Sequence, residues 1–111
     1  MSCQTRAASF MATAIGLAAW LAFASSSAVA ADASQGEILA KRWCAACHVV
    51  AADQTRGNAQ VPPFSATASK PGFDAAQLAL YLLLPHPRMP DMSLSRSEAA
   101  DLAAYIAAQG K

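Results

Sequence analysis

Apolar residues along the chain fall into four stretches, separated by polar and proline-rich segments. The first stretch, residues 7–24, is almost continuously apolar. The other three, residues 35–44, 74–84 and 96–109, place apolar residues at helical spacing. No segment shows a convincing strand pattern. The sequence therefore predicts an all-α protein with about three helices joined by long loops.

Short polar sequences mark the starts of these helices. Residues 34–37 (S-Q-G-E) and 95–98 (S-R-S-E) have the form of a capping box, and Asp74 is a candidate N-cap. Gly110 is the candidate C-cap of the last helix. The middle helix is apolar on nearly all sides and is ended by the prolines after residue 84, so we expect it to pack on both sides.

The N-terminal apolar stretch has the form of a secretory signal peptide. Arg6 precedes the apolar run, and A-V-A at residues 28–30 supplies an A-x-A cleavage pattern. We therefore divide the chain into a signal peptide, residues 1–30, and one periplasmic domain, residues 31–111. An uncleaved anchor is the alternative, although the run is near the lower length limit for a membrane span. Cleavage would leave the domain without a stable membrane anchor.

Charge and size narrow the function of this domain. Cleavage would remove one of the eight basic residues and none of the seven acidic ones, which leaves a formally neutral polypeptide. Such a polypeptide lacks the basic field that nucleic-acid binding requires. At this size a core made of side chains alone is marginal. A buried cofactor would supply the missing apolar centre.

The sequence C-A-A-C-H at residues 44–48 is the pattern for covalent attachment of a c-type haem. On one helical turn, Cys44, Cys47 and His48 share a face. The two thiols can form thioether bonds to the haem vinyl groups, and His48 can bind the iron as proximal ligand. Two alternatives are weaker. A structural zinc site normally needs four Cys or His ligands, and a thiol redox pair belongs near a strand–helix–strand unit.

The proline-rich segment 85–92 contains the candidates for the second axial ligand, which are Met89, Met92 and His86. Met89 is followed by Pro90 and is favoured, with Met92 as the nearest rival. His86 lies between two prolines and is better explained as a solvated loop residue. A methionine ligand would give six-coordinate iron with a raised potential, whereas an open site would bind small ligands.

The segment 49–70 shows little periodicity and contains glycine, asparagine and two prolines. Loops of this length are uncommon unless they are functional. We expect it to wrap one face of the haem, with its compact apolar group, residues 61–64, against the ring.

Taken together, these features resemble those of the small class I c-type cytochromes. The resemblance covers essentially the whole domain and is carried by the C-A-A-C-H motif, the Met89-Pro90 pair and the helix between Ser95 and Ile106. It implies a cytochrome c fold, with about three helices and long loops around one covalent haem. In small bacterial members the ligand methionine commonly precedes the helix aromatic by the spacing from Met89 to Tyr105, which favours Met89 over Met92.

The resemblance also implies roles for residues outside the motif. Gly36 lies eight residues before the first haem cysteine, where the N- and C-terminal helices of the family cross. Ala40 stands where the family usually has an aromatic residue, and Trp43 lies beside the cysteine instead. A carbonyl of Pro62 or Pro63 would accept the ring N–H of the histidine ligand.

One further role and the function follow from the same resemblance. Tyr81 would help to order a haem propionate. The protein would be an electron carrier and not an enzyme, with His48 and Met89 bound to iron in both oxidation states. Its partners would be redox proteins, a dehydrogenase or reductase as donor and an oxidase or another cytochrome as acceptor. The alternatives are a dedicated cytochrome subunit of a periplasmic dehydrogenase complex, a ligand-binding or catalytic haem protein, and a thiol oxidoreductase.

Overall fold

The computed structural model describes residues 29–84 and 88–111. Within these ranges the chain is helical and contains no strand, which confirms the predicted all-α class. It has one short helix more than the three expected. The elements are α1 (Ala33–Leu39), a π-helical turn (Ala40–Cys44), α2 (Phe64–Ala68), α3 (Ala75–Leu83) and α4 (Arg96–Ala108).

The signal-peptide prediction concerns residues that lie almost entirely outside the described ranges, and His86 lies outside them too. Residues 29–32 are exposed and non-helical and lead directly into α1. Among the described helices, none combines the length and the apolar character needed to cross a membrane.

Helix α1 begins two residues earlier than predicted, because Asp32 and not Ser34 is its N-cap. The Asp32 carboxylate accepts hydrogen bonds from the Ser34 hydroxyl and from the backbone N–H groups of Ser34 and Gln35. These bonds favour the ionised carboxylate and lower its pKa. The predicted capping box at residues 34–37 is therefore wrong. The predicted caps of α3 and α4, Asp74 and Ser95, are confirmed.

The core forms where α1 crosses α4. Gly36, Ala40 and Cys44 recur every fourth residue along α1 and the π-helical turn, and all three are buried. A Cβ added to Gly36 would overlap the backbone carbonyl oxygen of Asp101 and lie 2.8 Å from the Cβ of Tyr105. The two backbones can touch only because this position is a glycine, so the predicted helix crossing is confirmed.

Helix α4 presents the apolar stripe that its sequence predicts. Its buried residues are Ala99, Leu102, Ala103, Tyr105 and Ile106. The helix is capped at its C-terminus by Gln109, so the prediction of Gly110 as C-cap is wrong.

Gly110 serves instead to bring the chain end against α2. A Cβ added there would lie 2.9 Å from the Cβ of Ala68. The contact joins the last residues of the described chain to the short helix in the middle of it.

The loop after the cysteine–histidine sequence is tied down by the side chain of Gln54. Its amide nitrogen donates to the carbonyls of Ala45 at 3.1 Å and His48 at 2.8 Å, and its amide oxygen accepts from the Val50 N–H at 3.0 Å. Val50 is buried, and its carbonyl accepts a hydrogen bond from the Tyr105 hydroxyl at 3.0 Å. A segment with little sequence periodicity is thus anchored to α4.

Helix α3 packs against the core through Leu78 and Leu82, which confirms its predicted packing against polypeptide. Leu80, and Leu84 directly after the helix, are more than half exposed. Tyr81 is about half exposed and lies on the wall of a cavity, so the predicted contact of this helix with a haem stays a prediction.

Candidate haem site

Residues 44–48 form a helical turn, as their spacing predicts. The backbone N–H groups of Cys47 and His48 both donate to the carbonyl oxygen of Cys44, at 3.1 and 2.8 Å. The turn continues directly from the π-helical turn, so α1 and its contact with α4 determine where the three motif side chains lie.

The π-helical turn was not predicted. The Ala45 N–H donates to the carbonyl oxygen of Ala40, five residues earlier, at 3.1 Å. This wider turn keeps Ala40 fully buried and leaves the Trp43 ring near the surface, 4.8 Å from the Arg42 guanidinium carbon. The sequence contained one signal of the altered register, an alanine in place of the family aromatic together with a tryptophan beside Cys44.

A cavity of about 420 Å³ brings three of the predicted site residues together. Cys44, His48 and Met89 all line it. Its apolar wall includes Val61, Phe64, Leu78, Leu82, Leu102 and Ile106. The volume is within the range of small-molecule and cofactor sites, roughly 300–1,000 Å³. An apolar cavity that also carries imidazole, thioether and thiol groups fits a large, flat, iron-containing cofactor.

The ring of His48 is held in one orientation. Its Nδ1 lies 2.7 Å from the carbonyl oxygen of Pro62, and its centroid lies 5.4 Å from that of the Phe64 ring. A carbonyl oxygen can only accept, so Nδ1 carries the proton and the Nε2 lone pair is available to a metal. Of the two prolines predicted for this contact, Pro62 makes it. The Pro63 carbonyl accepts from Thr67 instead.

The two motif cysteines differ in environment. Cys44 is 8% exposed, and burial raises the pKa of its thiol to about 11. Cys47 is exposed and does not line the cavity. Reactive redox thiols have a lowered pKa. The environment of Cys44 is therefore not that of a reactive redox thiol.

The two methionines of the predicted ligand segment lie in different places. Met89 is half-buried and lines the cavity, whereas Met92 packs against the core cluster and does not line it. Between Met92 and α4 the chain turns through Ser93, which has a φ of 50° and donates its N–H to the Asp91 carboxylate at 2.8 Å. This turn takes the chain from the cavity wall to the start of α4.

The cavity also has a polar side, of which the sequence predicted only Tyr81. Gln60, Thr67, Lys70 and Arg88 line it, and none of the four was predicted to belong to the site. Tyr81, predicted near a propionate, lines the cavity as well. Three of the four lie in the segment 49–70, which was expected to wrap the haem, and Arg88 lies in the segment 85–92. No local motif identified the individual residues.

Comparison with known proteins gives one close similarity. Over 86 residues the chain is 57% identical to cytochrome c-552 of Bradyrhizobium diazoefficiens, and the match covers 78% of this chain and 83% of that relative. No protein-family profile matches the chain. No solved structure matches it.

Proposed function

Because the chain belongs to the small c-type cytochromes, we propose that it is a periplasmic one-electron carrier whose haem iron is bound by His48 and Met89. Membership of this family confirms two predictions, that the cofactor is a covalent haem c and that the protein transfers electrons and is not an enzyme. The observation that carries the proposed ligation is that His48 and Met89 line the same apolar cavity.

We assign covalent attachment of the haem to Cys44 and Cys47. Cys44 lines the cavity, and Cys47 lies one short turn further at the protein surface. When bound, the haem supplies an iron centre that takes up and releases one electron. Two thioether bonds would hold it in place without relying on the axial ligands.

The role of His48 is to offer Nε2 to the iron in a fixed direction. The Pro62 carbonyl holds the proton on Nδ1, and Phe64 packs beside the ring. A hydrogen bond on the far nitrogen also makes the ligand nitrogen more basic. Because the ring is already oriented, little has to move when the charge on the iron changes.

Met89 would supply the second ligand, a thioether sulfur. A neutral, soft ligand of this kind favours Fe(II) and raises the reduction potential. It would also leave no open position at the iron for oxygen or carbon monoxide. Methionine ligation therefore favours electron transfer over the ligand-binding alternative.

The apolar wall contributes to the same effect. Leu102 is fully buried and Ile106 nearly so, and both line the cavity, where they exclude water from the iron site. Low polarity disfavours the oxidation state with the greater net charge, which is Fe(III).

The proposal is tested by the absorption spectrum of the protein matured with its haem. We expect the weak charge-transfer band of methionine bound to Fe(III) in wild type and in Met92→Ala, and its loss in Met89→Ala. Haem that stays attached after denaturation would establish the covalent bonds, and Cys44→Ala and Cys47→Ala should each leave only one of them.

Three results would contradict the proposal. Loss of the band in Met92→Ala and not in Met89→Ala would move the ligand by three residues. Rapid carbon monoxide binding by the reduced wild type would indicate an open site. The absence of covalent haem would instead favour a thiol redox pair or a metal site at Cys44 and Cys47.

Export and partners complete the proposal. The apolar N-terminal run and the A-x-A sequence at residues 28–30 support cleavage after Ala30 and a periplasmic location. We propose other redox proteins as partners, a dehydrogenase or reductase that donates electrons and an oxidase or cytochrome that accepts them. Contacts with a carrier of this kind are expected to be small and transient.

A further inference from the structure

The charged residues on the cavity wall are all of one sign. Lys70, two residues after α2, and Arg88, directly before Met89, line the cavity, and among its described lining residues there is no aspartate or glutamate. Both cations are exposed overall, so they belong to the mouth of the cavity and not to its depth. The mouth is positive in a domain whose net charge is close to zero.

Neither cation is neutralised by a carboxylate in the part of the chain that the structure describes. The ion pair found there joins Lys41 to Glu37. Asp74 lies along a neighbouring groove that Lys70 also lines, but its carboxylate accepts from the Gln77 N–H at 2.9 Å and caps α3. Two positive charges at the mouth of an apolar cavity, neither paired with a carboxylate among the described residues, favour an occupant that is apolar at one end and anionic at the other.

A neighbouring groove places the side of the mouth that carries Lys70. Thr67, Lys70, Leu78 and Tyr81 line both the cavity and the neighbouring groove, which has a volume of about 400 Å³. These four residues therefore form the wall at which the two spaces adjoin. If the occupant had an anionic edge at this wall, that edge would contact Lys70 and would also be exposed to solvent.

We propose that Lys70 and Arg88 bind the two propionate groups of the haem and so determine which edge of the macrocycle points out of the cavity. The proposal rests on the proposed function, because it requires the haem. Haem carries its two carboxylates on one edge, and the rest of its surface is apolar. That distribution matches a cavity whose depth is apolar and whose mouth is cationic.

The same contacts would act on the reduction potential. A cation near the iron disfavours the additional positive charge of Fe(III). The negative charge of the propionates favours Fe(III), and pairing with a cation offsets that charge. Lys70 and Arg88 therefore raise the potential. The effect is moderate and depends on salt, because both side chains are exposed to solvent.

The test uses the haem-loaded protein at pH 7. Lys70→Gln and Arg88→Gln each remove one charge at the mouth. Arg96→Gln removes one charge from an exposed residue that does not line the cavity. We expect a lower reduction potential in both mouth variants than in the control, with the difference shrinking as salt is added. We also expect the propionate bending band in the resonance Raman spectrum to shift in the mouth variants only.

Charge-conserving variants complete the design. Lys70→Arg and Arg88→Lys should keep the wild-type potential, because each conserves the charge. If the two side chains had a purely structural role, the potential would not follow the charge. Potentials and propionate bands equal to the control in both glutamine variants would overturn the proposal, and a shift in one of them alone would overturn the assignment of the other residue. A wild type without covalent haem or without the methionine band would instead overturn the proposed function.

Discussion

At position 36 the backbone of α1 lies against the backbone of α4, and the Asp101 carbonyl and the Tyr105 side chain fill the space that a Cβ would need. A glycine within a helix costs about 1 kcal/mol relative to alanine. Here the cost is offset by the contact that it permits, since the crossing buries Ala40 and Leu102 completely.

We expect Gly36→Ala to destabilise the protein in spite of the better helix propensity of alanine. The added methyl group forces the helices apart, which should lower the free energy of unfolding by about 1–3 kcal/mol. Urea denaturation of the haem-loaded protein measures it. Gln35→Ala, at the adjacent exposed position, should change the stability by less than about 0.5 kcal/mol. Equal stability of Gly36→Ala and wild type would show that this close approach is not required.

Single residues differ in how far the sequence alone identifies them. The chemistry of Cys44, Cys47 and His48 is predictable because the attachment pattern lies within one turn. Which of Pro62 and Pro63 accepts the hydrogen bond from His48 is not predictable, because it depends on how the loop folds around the imidazole. The positions of Lys70 and Arg88 at the site are harder still to predict from the sequence, since only the folded chain brings them to one cavity.

At the scale of elements, the capping box of α4 makes the stability of that helix depend on pH. The Glu98 carboxylate accepts from the Ser95 N–H at 2.8 Å, and the Ser95 hydroxyl accepts from the Glu98 N–H at 3.2 Å. The hydrogen bond from the Ser95 N–H favours the ionised carboxylate and lowers the pKa of Glu98 from its usual 4.5. A carboxyl with a lowered pKa in the folded state stabilises the protein above its unfolded pKa, and this stabilisation is lost as pH falls through the folded pKa.

We therefore expect Glu98→Gln to have a lower melting temperature than wild type near pH 6. The difference should narrow as pH falls below the usual carboxyl pKa of 4.5 and through the lower pKa that the folded state gives Glu98, because the wild-type carboxylate becomes protonated there. Thermal unfolding followed by circular dichroism over this pH range measures it. Asp53→Asn, a matched loss of one exposed carboxylate outside the box, controls for the change in net charge. A difference for Glu98→Gln that stayed constant with pH would contradict the argument.

Elements were predictable to the extent that their end signals are local. Helices α3 and α4 begin where predicted, at Asp74 and Ser95. Two other serines lie near Ser95, but only Ser95 is followed three residues later by a glutamate. The start of α1 was missed because Asp32 and Ser34 both have capping side chains. Helix α2 and the π-helical turn have five residues each, too short to carry a hydrophobic period, and contacts with the rest of the fold determine them.

At the scale of the whole molecule, the cavity and not the helices decides whether the domain is stable without its cofactor. Without an occupant, the apolar wall of this cavity of about 420 Å³ faces water, and the hydrophobic stabilisation that burying it would supply is lost. The whole free energy of unfolding of a small domain is roughly 5–15 kcal/mol. The small size of the domain alone indicated that a buried cofactor was needed, but not where the cavity would lie.

We expect the chain without haem to lose its cooperative fold. The double variant Cys44→Ala/Cys47→Ala, purified after removal of the signal peptide, should show a reduced helical circular dichroism signal and no sharp thermal transition. The haem-loaded wild type should show a full helical signal and a sharp transition. Wild-type chain produced without haem attachment is the matched control, and it should resemble the double variant. A cooperative transition in both haem-free proteins would contradict the argument and show that side chains alone can close the core.

The burial of Cys44 also constrains the order of events by which the protein is made. In the folded chain this residue is 8% exposed, and burial raises the pKa of its thiol to about 11. The thiolate is the nucleophilic form of a cysteine, so this environment disfavours bond formation once the fold has closed. We therefore expect the haem to be attached before α1 closes on α4. The instability of the chain without haem would help, because it keeps Cys44 exposed until its bond has formed.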